Sequence, residues 1–164
     1  MRRWAVLCAD GTRARFLTLE PPSLPTESGP KLVEHEVLLD PDLRLPDREL
    51  FSESEPGGNR APPQGPSHGY DDHRDRHRRE IERAFAREVM KEAKRLFGEK
   101  KGEVLVVAAE PKLLGLLRDA WKEGDAFEVV EVPKDYTRMN PRQIQDSLAQ
   151  EGILPAQKRP EIPL

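Results

Sequence analysis

The pattern of apolar and polar residues predicts three strands in the first quarter of the chain. Trp4–Ala9 is a short apolar run, and Arg13–Glu20 alternates its side chains between two faces. The dipeptide Asp10-Gly11 between them is typical of a tight turn with a positive φ, so we expect a β-hairpin. Lys31–Leu39 is predicted to be a third strand.

Residues 40–70 form a polar segment rich in Pro and Gly, and a strongly charged helix follows it. We predict that this helix begins at Asp71 or Asp72, either of which can cap it, and that it ends near Phe97. Its apolar residues recur at helical spacing and should face the core. They are Ile81, Phe85, Val89, Ala93 and Leu96.

The last third of the chain alternates strand and helix. Residues 103–109 are the strongest predicted strand, and their apolar character is typical of a strand covered on both faces. Pro111 opens a helix, residues 127–132 form another strand, and Asn140 caps a last amphipathic helix. The order β-β-β, loop, α, β, α, β, α predicts an α/β fold with helices against the faces of a mixed sheet. We expect one domain over residues 1–154 and a loose tail over residues 155–164.

Composition limits the classes of function. Charged residues make up 35% of the chain and the net charge is -3, which argues against a general polyanion binder. The single cysteine, Cys8, excludes an internal disulfide and should be buried and unreactive in its strand. No apolar run has membrane-spanning length and no signal peptide is evident, so we expect a cytoplasmic protein that does not enter a membrane. Few Asn and Cys with many Arg and Glu favour a thermophilic source.

Basic charge is concentrated in the predicted long helix. Between Asp71 and Lys101, eleven Lys or Arg stand against eight Asp or Glu, although the whole chain is negative. One face of the helix, opposite the apolar one, carries Arg76, Arg79, Arg83, Arg87 and Lys91. Like charges four residues apart cost helix stability. Two interpretations stay open: a solvated outer face, and a ridge that contacts the phosphate backbone of RNA.

Two histidines near the start of this helix have the spacing of metal ligands. His73 and His77 lie four residues apart and would face the same way, with Asp72, Glu80 or His68 as further ligands. The surrounding arginines repel cations, and exposed histidines at a helix start are the alternative interpretation. We expect no cofactor. Asp10 follows the first strand, but a turn role is preferred there to a share in a Mg²⁺ site.

Three segments resemble the host-attachment protein family. They are WAVLCADGTRARF at residues 4–16, AFAREV at residues 84–89 and, most specifically, VVAAEPKLLGLLR at residues 106–118. The family is related to the central domain of archaeal and eukaryotic peptide-chain release factors. The resemblance implies a ribonuclease-H-like three-layer α/β sandwich, also seen in ribosomal proteins of the L18 and S11 kind.

The resemblance also assigns a role to the Pro- and Gly-rich loop. In release factors the corresponding loop carries Gly-Gly-Gln, enters the peptidyl-transferase centre and helps water attack the peptidyl-tRNA ester. Gly57, Gly58 and Asn59 stand in a similar place and are the candidate catalytic residues. Asn is one methylene shorter than Gln, which matters because catalysis depends on ångström-scale positioning. Ordinary turn formation is the alternative, and Gln64 is a second candidate.

These implications lead to two hypotheses for function. The first is a protein that acts on or near the ribosome, with ribosome and tRNA as partners and with peptidyl-tRNA release or ribosome rescue as its reaction if it is an enzyme. The second is a non-enzymatic module that binds a protein partner, any role in host attachment then being indirect. The sequence leaves the oligomeric state open.

Overall fold

Five strands and three helices follow one another in the predicted order within residues 2–39, 68–121 and 128–160, the parts of the chain that the computed structural model describes. The strands are β1 (Trp4–Ala9), β2 (Arg13–Glu20), β3 (Lys31–Leu39), β4 (Val104–Ala108) and β5 (Glu128–Val132). The helices are α1 (His68–Glu99), α2 (Pro111–Ala120) and α3 (Pro141–Gln150).

The strands form one mixed sheet in the order β3-β2-β1-β4-β5. β2 pairs antiparallel with β1, where Ala5 lies opposite Thr18, and antiparallel with β3. β4 pairs parallel with β1, where Trp4 lies opposite Val104, and parallel with β5. Of the described strands, β2 alone therefore runs against the other four. The predicted hairpin and mixed sheet are confirmed.

Helices cover both faces of this sheet, so the fold has three layers. On one face α1 and α2 pack on the sheet through residues such as Phe85, Val89 and Leu117. On the other face α3 packs through Ile144 and Leu148. All five residues of β4 are buried, as expected for a strand covered on both faces.

The long helix α1 begins earlier than the sequence analysis predicts. It runs from His68 and passes through Gly98 to Glu99, so the predicted start at Asp71 or Asp72 is wrong. Ser67, the preceding residue in the sequence, is of a cap-forming type, as are the two aspartates. Phe85, Val89 and Ala93 are buried as predicted; Ile81 and Leu96 are half-buried.

A side chain, not a special glycine conformation, holds the turn between β1 and β2. Asp10 Oδ1 accepts hydrogen bonds from Thr12 N at 2.8 Å, from Thr12 Oγ1 at 2.9 Å and from Arg13 N at 2.9 Å. Gly11 is not among the described residues with a positive φ, so the predicted positive-φ turn is wrong. The aspartate carboxylate instead stabilises the turn, together with a backbone hydrogen bond of 2.9 Å from Asp10 N to Arg13 O.

A buried glutamine bonds α3 to the start of β3 and to the C-terminal segment. Gln145 is 1% exposed. Its side-chain oxygen accepts from Leu32 N at 3.1 Å, and its nitrogen donates to Pro30 O at 2.9 Å and to Pro155 O at 3.0 Å. All the polar atoms of this buried amide are therefore bonded, as the burial of a polar group requires.

Part of the C-terminal segment is anchored to the body of the protein. Lys158 and Gly29 exchange two backbone hydrogen bonds of 3.0 Å each. The two residues are far apart in the chain, so no local sequence pattern predicts this pairing. Residues 161–164 lie outside the described residues.

Candidate functional site

The side of α1 that faces away from the core carries the basic residues that the sequence analysis singles out. All five of them are exposed, and we call them the basic ridge: Arg76, Arg79, Arg83, Arg87 and Lys91. The packed side of the same helix holds Phe85, Val89 and Met90, which are at most 4% exposed. The tertiary structure thus turns the basic side chains outward.

Four members of the ridge follow one another at intervals of four residues, from Arg79 to Lys91. An α-helix rises about 1.5 Å per residue, so neighbouring members are about 6 Å apart along the axis and the row spans about 18 Å. Each interval also turns the row by about 40° around the helix. The ridge is therefore a shallow spiral of regularly spaced positive charges.

None of the five ridge residues forms an ion pair with any residue that the structure describes. Other cations nearby are paired. Arg95 donates to Glu92 at 2.8 Å, to Glu99 at 2.9 Å and to Glu36 at 3.1 Å. These carboxylates, Glu92 first, raise the pKa of Arg95. The charge of the ridge, by contrast, is left for solvent or a ligand.

The two candidate metal ligands lie near the start of α1. His73 and His77 are both exposed, and His77 already has an interaction partner. Within residues 2–39, 68–121 and 128–160, no group of three or more His, Cys, Asp or Glu is arranged to hold a metal ion. Of the other suggested ligands, Glu80 is exposed, and the side chains of His68 and Asp72 are not described.

The candidate catalytic residues cannot be placed. Gly57, Gly58 and Asn59 lie outside the described residues, as does Gln64, so their predicted role stays a prediction. The structure does describe the elements on either side of them: β3, which ends at Leu39 on one edge of the sheet, and the basic helix α1.

A polar cluster that the sequence analysis did not single out lies around Thr137, beside the end of β1. Thr137 is 2% exposed. Its hydroxyl lies 3.0 Å from Asp10 Oδ2 and 2.6 Å from Asp135 Oδ1. Its backbone oxygen accepts from Arg13 at 3.0 Å and from Arg15 at 2.9 Å. We call Asp10, Arg13, Arg15, Glu34, Asp135 and Thr137 the strand-end cluster.

Arg15 is the buried charged residue of the strand-end cluster, at 8% exposure. Its Nε and Nη2 donate to the two oxygens of Glu34 at 3.0 and 2.6 Å. Its Nη1 donates to Thr137 O and, at 2.5 Å, to Met139 O. The bond to Glu34 raises the pKa of Arg15. The side chain joins β2, β3 and the segment between β5 and α3, so its role is to hold the fold.

Asp10 is likewise bonded on both carboxylate oxygens. Burial raises the pKa of its carboxyl, but hydrogen bonds from Thr12, Arg13 and Thr137 outweigh this, and the net pKa is lowered. An ionised group whose acceptor sites already receive N–H and O–H donors has little left to offer a metal ion. The preferred turn role of Asp10 is confirmed.

One sequence signal could have revealed the strand-end cluster. Arg15 shares its face of β2 with Leu17 and Leu19, which are 1% and 5% exposed. A charged side chain on an otherwise apolar strand face needs a buried partner. The partners themselves could not be named, because Thr137 is 122 positions away in the chain.

Cys8 offers no reactive thiol. It is a free cysteine with 0% exposure, and burial raises its pKa to about 12. Since the thiolate is the nucleophilic form, the predicted inert burial is confirmed.

Comparison with known proteins places the whole fold in one family. Of the helices in the described parts of the chain, none is both long and apolar enough to span a membrane. No curated protein matches the chain. A family model described as "protein required for attachment to host cells" matches residues 5–148, from β1 to α3, and so includes the basic ridge and the strand-end cluster. The chain therefore belongs to the family of proteins required for attachment to host cells, as its resemblance to that family predicts.

Proposed function

We propose that this protein binds RNA and acts at the ribosome, in the cytoplasm, with the basic ridge as its contact to phosphate. The observation that carries the proposal is a row of exposed cations without ion-pair partners among the described residues. Like charges four residues apart destabilise a helix. Phosphate groups would relieve that repulsion and would release counterions on binding.

The fold supports the same proposal. The strand order β3-β2-β1-β4-β5, with β2 opposed to the others and helices on both faces, agrees with the ribonuclease-H-like sandwich that the release-factor resemblance implies. Because one fold hosts many functions, the ridge carries more of the argument than the topology does.

Peptidyl-tRNA release is the reaction that this proposal includes, with Asn59 as its candidate residue. Gly57, Gly58 and Asn59 come shortly before α1 in the sequence. A ridge bound to ribosomal RNA would therefore tether this segment to the ribosome. Peptidyl-tRNA release tests whether Asn59 takes the catalytic role that Gln has in release factors.

A protein-interaction module is the second candidate function. It is supported by Val37, which is 51% exposed on β3, an edge strand of the sheet. Apolar side chains on sheet edges are suited to pairing with another chain. An interface of this kind should respond little to salt, whereas phosphate contacts weaken steeply as salt is added.

Ribosome co-sedimentation over a series of salt concentrations tests the binding. We expect the wild type to co-sediment at low salt and to dissociate steeply with added salt. The combined variant Arg79→Glu, Arg83→Glu, Arg87→Glu should lose co-sedimentation. A control with the same change in net charge replaces Lys31, Arg138 and Arg159, which are exposed cations away from the ridge, and should still bind. Salt-insensitive binding that survives in the ridge variant would instead favour the protein-interaction module.

Peptidyl-tRNA release from stalled ribosomes tests the chemistry. If the wild type releases the peptide and Asn59→Ala does not, the protein is a hydrolase in which Asn59 takes part in catalysis. Ridge-dependent co-sedimentation without release would leave a ribosome-binding factor and remove the catalytic part of the proposal.

A further inference from the structure

We infer that the basic ridge recognises double-helical RNA and not single-stranded RNA. This inference rests on the proposed function, since it takes RNA as the ligand and specifies its form. Three properties of α1 carry it: the helix is anchored to its neighbours, its charges are regularly spaced, and its outer side from Arg79 to Lys91 has no exposed aromatic ring.

The helix that carries the ridge is anchored to its neighbours over residues 82–97. Met90 and Phe97 are buried against the sheet at 1% and 4% exposure. Arg95 joins α1 to Glu36 of β3 at 3.1 Å, and Glu82 of α1 pairs with Lys112 of α2 at 3.6 Å. The helix backbone holds the Cα atoms of the ridge at set intervals, which suits a fixed array of phosphates. A duplex already has such an array, whereas a single strand must lose conformational entropy to form one.

The spacing of the ridge suits backbone contact. Four cations recur at intervals of about 6 Å over about 18 Å, as the rise of an α-helix requires. Glu80 and Glu88 are also exposed on α1 and reduce the general positive field. Binding therefore depends on direct contacts between individual cationic side chains and individual phosphates. Double-stranded RNA is recognised in this way, by shape and by phosphate and 2′-hydroxyl contacts.

From Arg79 to Lys91 the outer side of α1 lacks the feature that single strands need. The aromatic side chain in that stretch is Phe85, which is only 4% exposed, and the exposed imidazoles of His73 and His77 lie before it. Proteins that bind single strands without sequence preference stack bases on exposed aromatic rings. This part of the ridge offers phosphate contacts and no exposed aromatic ring, so a single strand gains no base stacking on an aromatic ring here.

The test compares one RNA in two forms. Fluorescence anisotropy measures binding of the full chain to a duplex of about 16 base pairs, the span covered by a double-stranded-RNA-binding domain, and to one of its strands, chosen not to pair with itself. We expect the duplex to bind at least about tenfold more tightly at low salt. If four phosphates are contacted, the slope of log affinity against log salt should be about -3.6, as for duplex DNA.

Variants connect this preference to the ridge. The combined variant Arg79→Gln, Arg83→Gln, Arg87→Gln should weaken duplex binding at least about tenfold. It should also make the slope of log affinity against log salt shallower, by the amount that about three phosphate contacts contribute. Gln at Lys31, Arg138 and Arg159 removes the same charge elsewhere and should change binding less than about twofold. If the triple variant fails to fold, Arg83→Gln alone takes its place in the test. It should make the slope shallower by the amount that about one phosphate contact contributes.

The outcomes separate this inference from the proposal beneath it. Ridge-dependent binding in which the single strand is bound as tightly as the duplex, or more tightly, overturns the inference and leaves the proposed function standing. Binding of neither RNA, or equal binding by the ridge variant, overturns both. A duplex preference that the ridge variant loses and the control variant keeps supports both.

Discussion

Arg15 occupies a position that the alternation of β2 would assign to an apolar residue. Leu17 and Leu19 on the same strand face are buried, and so is Arg15. Burying a guanidinium is costly unless its N–H groups and charge are matched. Glu34 and the backbone oxygens of Thr137 and Met139 provide that match. The position therefore tolerates the arginine only because distant segments converge on it.

Replacing Arg15 with Met should cost about 3 kcal/mol of unfolding free energy, the low end of the range for broken buried ion pairs. The low end applies because Glu34 keeps 27% of its side chain exposed. Urea denaturation measures the loss. Arg2→Met is the matched control: Arg2 and Glu128 are more than half exposed, so its loss should stay below about 1 kcal/mol. Equal losses in the two variants would contradict the buried role of Arg15.

Because of Asp10, the free energy of unfolding should depend on pH in the acidic range. Its pKa in the folded protein is lowered, so the ionised carboxylate stabilises the fold above the ordinary carboxyl pKa of about 4. That contribution should disappear as the pH falls through the lowered folded pKa. We expect the stability difference between wild type and Asp10→Asn to be constant near neutral pH and to shrink below about pH 4. Denaturant titrations across that range would refute this if the difference grew on acidification.

At the scale of elements, two glycines in opposite surroundings lie near the C-terminal end of α1: Gly98 in its last turn and Gly102 just beyond Glu99. A Cβ at Gly98 would meet no atom within 4 Å, whereas a Cβ at Gly102 would lie 2.1 Å from Cε2 of the buried Phe97 ring. Gly102 N also donates to Phe97 O at 2.9 Å, which closes the helix end. Gly102 is thus required by close packing, and Gly98 is not.

Alanine at these two positions should change stability in opposite directions. Gly98→Ala should stabilise the protein by up to about 1 kcal/mol, because Ala is the better helix former. Gly102→Ala should destabilise it by about 1–3 kcal/mol, because Phe97 or the backbone must move. Thermal and urea unfolding of the pair give both signs in one experiment. Stabilisation by Gly102→Ala would show that the Phe97 ring yields easily.

The elements themselves were largely predictable, because their signals are local. The apolar run of β4 and the Asn140 cap before Pro141 are recognisable from neighbouring residues, and both are confirmed, the cap as part of a capping box with Gln143. The predicted start of α1 is wrong because Ser67, Asp71 and Asp72 are all cap-forming types within a few residues, and the sequence alone does not choose between them. The strand-end cluster is harder to predict for another reason. Arg15 signals that a buried partner is needed, but the contacts with Thr137 join residues more than a hundred positions apart, so no local pattern identifies that partner. The basic ridge was predictable because helical periodicity alone places its members together.

At the scale of the whole molecule, Gln145 connects parts that are separate in sequence. The bonds of its side chain reach Pro30, Leu32 and Pro155. They position the start of β3 and the C-terminal segment on one face of the sheet. The neighbouring pairing of Lys158 with Gly29 belongs to the same anchored region.

Gln145→Leu should therefore destabilise the fold by about 3 kcal/mol, since it leaves a buried N–H and two carbonyl oxygens without partners. It should also speed hydrogen exchange at the amide of Lys158, which donates to Gly29 O. Gln150→Leu, on the exposed end of the same helix, is the control and should change neither quantity appreciably. Unchanged exchange at Lys158 in the Gln145 variant would show that the C-terminal pairing is independent of it.

The parallel pairing of β1 with β4 has a consequence for the time course of folding. Val6 lies opposite Val106, so this pairing must close a loop of about a hundred residues, and such distant contacts form late. The hairpin of β1 and β2 needs no such closure and can form while the rest of the chain is still being synthesised. Until β4 and α3 arrive, Leu17 and Val6 have no cover on their face. The newly made protein thus passes through a stage in which an apolar sheet surface is open to aggregation, and the arrival of its second half ends that exposure.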